Sequence, residues 1–137
     1  TLQPARGDSQ RAIWVQGNGF EDWGVAFGIA VAACVDASAY TGITFWTLSK
    51  ATMSIEFNIG TYDTMVDQGC TASCDGKYKT TLALPAEWKE WTIPFDSLMA
   101  TGAATAIPFE ANKITAINFI VGPMATFDLY VDDVSFY

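Results

Sequence analysis

Met53, Ile55, Phe57 and Ile59 alternate with Ser54, Glu56 and Asn58 through "MSIEFNI", an unbroken period of two. Side chains of a strand point alternately to its two faces, so this segment can bury one row and leave the other in water. The four apolar residues are therefore predicted to be buried together. Seven further segments share the composition: "RAIWVQG", "WGVAFGIAVAA", "TGITFWTLS", "KYKTTLAL", "EWTIPF", "KITAINFIVG" and "TFDLYVDDVSFY". All are rich in Ile, Val, Thr, Phe and Trp, and Gly, Pro, Asp, Asn and Ser separate them. So many strands without a long helical pattern predict an all-β fold, two antiparallel sheets packed as a sandwich. "FDSLMATG" has room for one helical turn, with Asp96 or Ser97 as its cap and Gly102 as its stop. "GTYDTMVDQGCTASCDG" is the one long irregular stretch, and a loop of that length in a compact domain is more often functional or pinned than idle.

The 137 residues suit one domain, 1–137, with no repeat and no linker. Charged residues are scarce at 16%, and the balance is acidic, with fifteen Asp and Glu against seven Lys and Arg. A net charge of −8 argues against nucleic acid and anionic membrane as partners, because phosphate binding needs clustered cations. No apolar run reaches the roughly 18 residues of a membrane span. Nor does the chain open on a signal peptide, as expected of a mature chain or of one that never had a leader. Histidine is absent, which removes the commonest general base, the Ser-His-Asp arrangement and most transition-metal sites.

Three cysteines do not make a zinc framework. Cys70 and Cys74 in "CTASC" have the spacing of a metal pair, but nothing completes the site. In a weakly charged, Thr- and Ala-rich chain two readings stand: a small Cys70–Cys74 disulfide loop with Cys34 left over, or three reduced thiols.

The closing segment "FDLYVDDVSFY" carries an irregularity. Phe127, Leu129 and Val131 share one face, but Asp133 falls where an apolar residue is due, and Val134 and Phe136 resume one step out of phase. A bulge at Asp132–Asp133 would insert one residue and return Val134 and Phe136 to the face of Leu129. Two carboxylates at a bulge can point toward one hard cation. The alternative is an edge strand whose exposed aspartates discourage aggregation.

Six pieces in order, "WGVAFGI", "DASAYTGITFWTLS", "GCTASCDG", "EWKEWTIPFDSL", "ITAINFIVG" and "FDLYVDDVSFY", resemble the β-jelly-roll carbohydrate-binding modules appended to bacterial extracellular glycoside hydrolases. The resemblance runs from about Arg11 to the end of the chain. It implies a jelly roll of two antiparallel sheets, no catalysis, polysaccharide or oligosaccharide bound by aromatic and polar side chains, an extracellular or cell-surface location, and a structural calcium ion. Asp132 is the better calcium ligand in that picture, with Asp133 beside it and Glu21 and Asp22 of "GFEDWG" as substitutes for missing ligands. Such domains open with a further strand, whereas only "TLQPARGDSQ" precedes "RAIWVQG" here, so the first strand is expected to be short, displaced or missing.

Sugar binding needs flat apolar faces for pyranose rings, with Asp, Glu, Asn or Gln beside them for the hydroxyls. Trp14, Trp46 and Tyr130 alternate with core-like neighbours. If their faces belong to one concave sheet, they form a groove with Glu56, Asn58, Asn118 and Asp128; otherwise Trp14 and Trp46 pack in the hydrophobic layer. Tyr62 and Tyr78 flank the cysteine loop and are expected at the surface. Trp88 and Trp91 point to opposite sides of an extended segment, one into the core and one over a sheet edge. A second class of function competes: a self-associating structural subunit, homo-oligomer or polymer, in which a neighbour's strand completes an open edge.

Overall fold

The computed structural model describes residues 6–65 and 76–137, the side chains of 31–33 excepted. Among the described residues nine strands form two antiparallel sheets. β1 (Ile13–Gly17), β9 (Phe127–Phe136), β3 (Gly42–Ser49) and β6 (Lys89–Pro94) make a four-stranded sheet in that spatial order. β2 (Val25–Val35), β8 (Ile114–Val121), β4 (Met53–Thr61), β5 (Lys77–Leu84) and β7 (Met99–Thr101) make a five-stranded one. Consecutive strands repeatedly change sheet, which is the jelly-roll path. Among the described residues no helix is long and apolar enough to cross a membrane.

The period of two in β4 does what it predicts. Ile55, Phe57 and Ile59 are fully buried, and Met53 packs against the same core. Phe45 of β3, Phe57 of β4 and Phe119 of β8 meet between the sheets with centroids 4.9–5.5 Å apart. One stacked and two edge-on contacts of this kind stabilise the core beyond the area they bury. Trp91 also turns inward, and its indole N–H donates to Thr47 Oγ at 2.8 Å, so two polar groups brought into the core satisfy each other.

The segment expected to hold one helical turn divides differently. Phe95–Ser97 form a 3₁₀ turn, but Met99–Thr101 then pair with Lys77–Lys79 as the edge strand β7. Gly102, at φ +56°, opens a second 3₁₀ segment, Gly102–Ala106, instead of ending the first.

The phase slip in β9 is a bulge. Thr44 pairs with Ser135 and Trp46 with Asp132, so Phe45 alone stands opposite both Asp133 and Val134. Asp133 takes φ +47°, a left-handed conformation that Asp tolerates better than most residues. Val134 and Phe136 thereby rejoin the core against Ile43.

Candidate functional site

Alternation along β4 and β8 turns Glu56, Asn58 and Asn118 to the side of the five-stranded sheet away from the phenylalanine core, where Asn58 itself is buried at 2% exposure and Glu56 and Asn118 are half-buried. Register brings them together: Asn58 lies opposite Asn118 on one flank and Lys79 on the other. Lys79 Nζ donates to Glu56 Oε2 at 2.6 Å, Asn58 Nδ2 to Glu56 Oε1 at 3.0 Å, and Asn118 Nδ2 to Asn58 Oδ1 at 3.1 Å. The relay runs across β5, β4 and β8 and fixes which way each amide points. Lys77, two residues from Lys79 on the same face, reaches Glu56 only at 3.9 Å and is 44% exposed.

Small residues keep the space above this relay open. Gly28 faces Asn118 across the β2–β8 pair, and a Cβ there would run into the Ile117 carbonyl and the Asn118 amide. Next to it, Ala26 and Gly60 line a groove of about 450 Å³ with Trp23, Asn58, Met65, Lys77, Asn118 and Ile120. Trp23 stands at its rim, 64% exposed, on the turn Glu21–Gly24 where Asp22 takes φ +53°. Among the described residues lining the groove there is no carboxylate, and neighbouring Glu56 is held by Lys79.

The nine side chains expected to bind sugar are thus divided. Trp14, Trp46, Asp128 and Tyr130 lie on the solvent face of the four-stranded sheet, on the far side of the sandwich from Glu56, Asn58 and Asn118. They do not share one groove, because β1, β3 and β9 belong to one sheet and β4 and β8 to the other. Trp46 is half-buried beneath the Arg6 guanidinium, 5.1 Å from its ring centre, and does not pack between the sheets. Tyr62 is exposed in the 3₁₀ turn Tyr62–Thr64 after β4. Tyr78 is buried at 3% exposure and donates its hydroxyl to the Ile107 carbonyl at 2.8 Å, against expectation; it shares a face with Leu82 and Leu84.

Trp23, Lys77 and Lys79 went unnoticed in the sequence. A loop tryptophan has no periodicity to betray it, and Lys79 gains its place through pairing with β4.

Asp132 is buried, and its partners are Arg6 Nε at 2.8 Å and the Asp133 amide at 2.9 Å; Arg6 also pairs with Asp133. Burial works to raise the Asp132 pKa, but the nearby Ser9 hydroxyl, the Arg6 guanidinium and the Asp133 amide outweigh it and hold the carboxyl below its ordinary value. Glu21 and Asp22 sit in the turn before β2 and do not join this pair. Among the described residues no three His, Cys, Asp or Glu side chains assemble to hold a metal ion. At the bulge it is the Arg6 guanidinium that places a positive charge beside Asp132 and Asp133. Cys70 and Cys74 lie outside the described residues, and Cys34 is free and exposed.

The family model for carbohydrate binding domain 30 matches residues 3–137. Among solved structures, the family 11 carbohydrate-binding module from Clostridium thermocellum, in complex with a β-1,3-1,4-mixed-linked tetrasaccharide, aligns with a TM-score of 0.72 at 19% identity, covering 95% of this chain and 77% of that one. A family 30 module of a cellulosomal cellulase of Clostridium thermocellum aligns with a TM-score of 0.72 at 12% identity, covering 98% and 78%. A family 4 module aligns with a TM-score of 0.53 at 16% identity, covering 94% and 84%. At these identities the structures share the fold. No curated protein sequence matches the chain.

Proposed function

The chain belongs to the carbohydrate binding domain 30 family, noncatalytic carbohydrate-binding modules, and we propose that its ligand is a β-linked glucan chain lying in the groove of the five-stranded sheet. One observation carries this reading: an exposed indole, Trp23, stands beside a row of pre-oriented amides, Asn58 and Asn118, over a floor kept low by glycine and alanine. The indole supplies a flat apolar face for one pyranose ring, and the Asn118 amide and Lys77 supply donors and acceptors for hydroxyls, with buried Asn58 fixing the Asn118 amide from behind. Because the amides already hydrogen-bond one another, little ordering remains to oppose binding. The tetrasaccharide held by the family 11 module supports a mixed-linked β-glucan as the first ligand to try. Such polysaccharides lie outside cells, and we place the module there.

Calorimetric titration with that tetrasaccharide tests the proposal. Trp23→Ala, a change at an exposed turn, should weaken groove binding about ten-fold or more, equal to about 1.4 kcal/mol. Unchanged affinity in that variant would contradict the assignment.

A further inference from the structure

The opposite side of the sandwich carries a second set of side chains with the same chemistry. Trp14 on β1 and Tyr130 on β9 stand directly across from one another on the solvent face, with rings nearly parallel at 6.3 Å and 15°. Trp88, in the turn before β6, leans on Tyr130 at 6.1 Å. Leu48 and Ala12 complete a small apolar cluster separate from the main core. Within it Tyr130 is 8% exposed, whereas Trp14, lying outermost, is 53% exposed.

The Trp14 indole is also fixed in place. Its N–H donates to Asp128 Oδ1 at 2.8 Å, and the other oxygen of Asp128 is held by Lys50 at 2.5 Å. Gln16 lies directly opposite Asp128 on the same face. The hydrogen bond from Lys50, with a further one from Trp14, holds the Asp128 carboxyl below its ordinary pKa despite opposing burial. It is therefore an ionised acceptor at neutral pH. A flat, immobilised apolar face has no rotamer freedom left to lose when a ligand covers it. Beside that face stand a carboxylate acceptor, an ammonium with N–H groups to spare and an amide.

We propose that Trp14, Asp128, Lys50 and Gln16 form a second saccharide subsite, taking one or two pyranose units of a neutral glycan. The proposal shares with the groove the premise that the chain binds sugars, but it uses none of the same residues. Two sites on opposite faces make the module bivalent, able to bridge neighbouring chains of a polysaccharide or to raise avidity on a surface dense in them.

The test is a ¹H–¹⁵N titration of the full chain with the mixed-linked tetrasaccharide, carried to about 10 mM so that weak binding is seen. The Trp14 indole N–H and the Asp128 and Lys50 amides should shift saturably, and should do so equally in Trp23→Ala. Trp14→Ala should lower the calorimetric stoichiometry from two ligands per chain to one, and Trp14→Phe should retain part of the second. A Trp14 indole that does not move across the titration overturns the second subsite, whatever the groove does. A response at Trp14 with none at Asn58 or Asn118 overturns the groove instead.

Discussion

Arg6 donates from Nε to Asp132 Oδ2 at 2.8 Å, although 126 positions separate the two residues in the chain. The bond ties the segment ahead of β1 to the bulge in β9. Removing the guanidinium would leave a buried carboxylate with fewer partners, which costs more than the bond contributes. Arg6→Ala should therefore lower unfolding free energy by about 1–2 kcal/mol in urea titration. With the guanidinium in place, calcium and a chelator should both leave the wild-type melting temperature unchanged. A rise with calcium would mean that the ion displaces Arg6, since a ligand bound only to the folded state stabilises it.

The bulge makes its own demand on the backbone. At φ +47°, Asp133 occupies a conformation that glycine adopts freely and β-branched residues resist. Asp133→Gly should be close to neutral, its exposed ion pair with Arg6 contributing little. Asp133→Val should destabilise by about 1–2 kcal/mol. Equal stability of the two variants in chemical denaturation would contradict a left-handed residue at this point.

Asp132, Asp63 and Asp128 all have depressed carboxyl pKa values. At Asp132 burial is overcome by the Ser9 hydroxyl nearby and the Arg6 and Asp133 amide bonds; at Asp63 the Lys113 bond leads and at Asp128 the Lys50 bond. A folded pKa below the unfolded one contributes stability that is fully present above the unfolded value, here near 3.8, and is lost as pH falls through the folded value. With no histidine, no imidazole titrates between pH 5 and 8. The melting temperature should thus stay level from neutrality to about pH 5 and drop below about pH 4. Asp132→Asn should drop less steeply, and an identical slope would refute the role given to Asp132.

Much of this was legible in the sequence, and the limits have a physical reason. Period two in "MSIEFNI" and its slip at "VDDV" are local facts about which side of one strand a residue occupies, and both became burial and a bulge. Sheet membership is not local. A groove shared by Trp14, Trp46 and Tyr130 with Asn58 and Asn118 requires their outward faces to belong to one sheet, with packing of Trp14 and Trp46 in the hydrophobic layer as the alternative, yet outward means opposite directions in the two sheets. That β9 lies between β1 and β3 follows from pairings over a hundred residues apart. Tyr78 could have been placed inside, since it alternates in step with Leu82 and Leu84; its nearness to the cysteine loop pointed the other way. Arg6 left no local trace at all.

Cys34 is exposed and unbonded, so it should react with a thiol reagent in the native protein without denaturant. If Cys70 and Cys74 bond, as expected for an oxidising location, thiol counting in denaturant without reductant should find one free group. Three would mean that the short loop is held by something other than a disulfide.

The account turns on where a sugar chain lies. In the ¹H–¹⁵N titration with mixed-linked tetrasaccharide, the decisive signals are the side-chain amides of Asn58 and Asn118, which lie on the groove floor and bond to each other at 3.1 Å. Both should shift with one common isotherm, together with the Trp23 indole, and Trp23→Ala should move that isotherm to higher ligand concentration. If both amides stay fixed up to about 10 mM ligand while other parts of the protein respond, the groove of the five-stranded sheet is not the binding site.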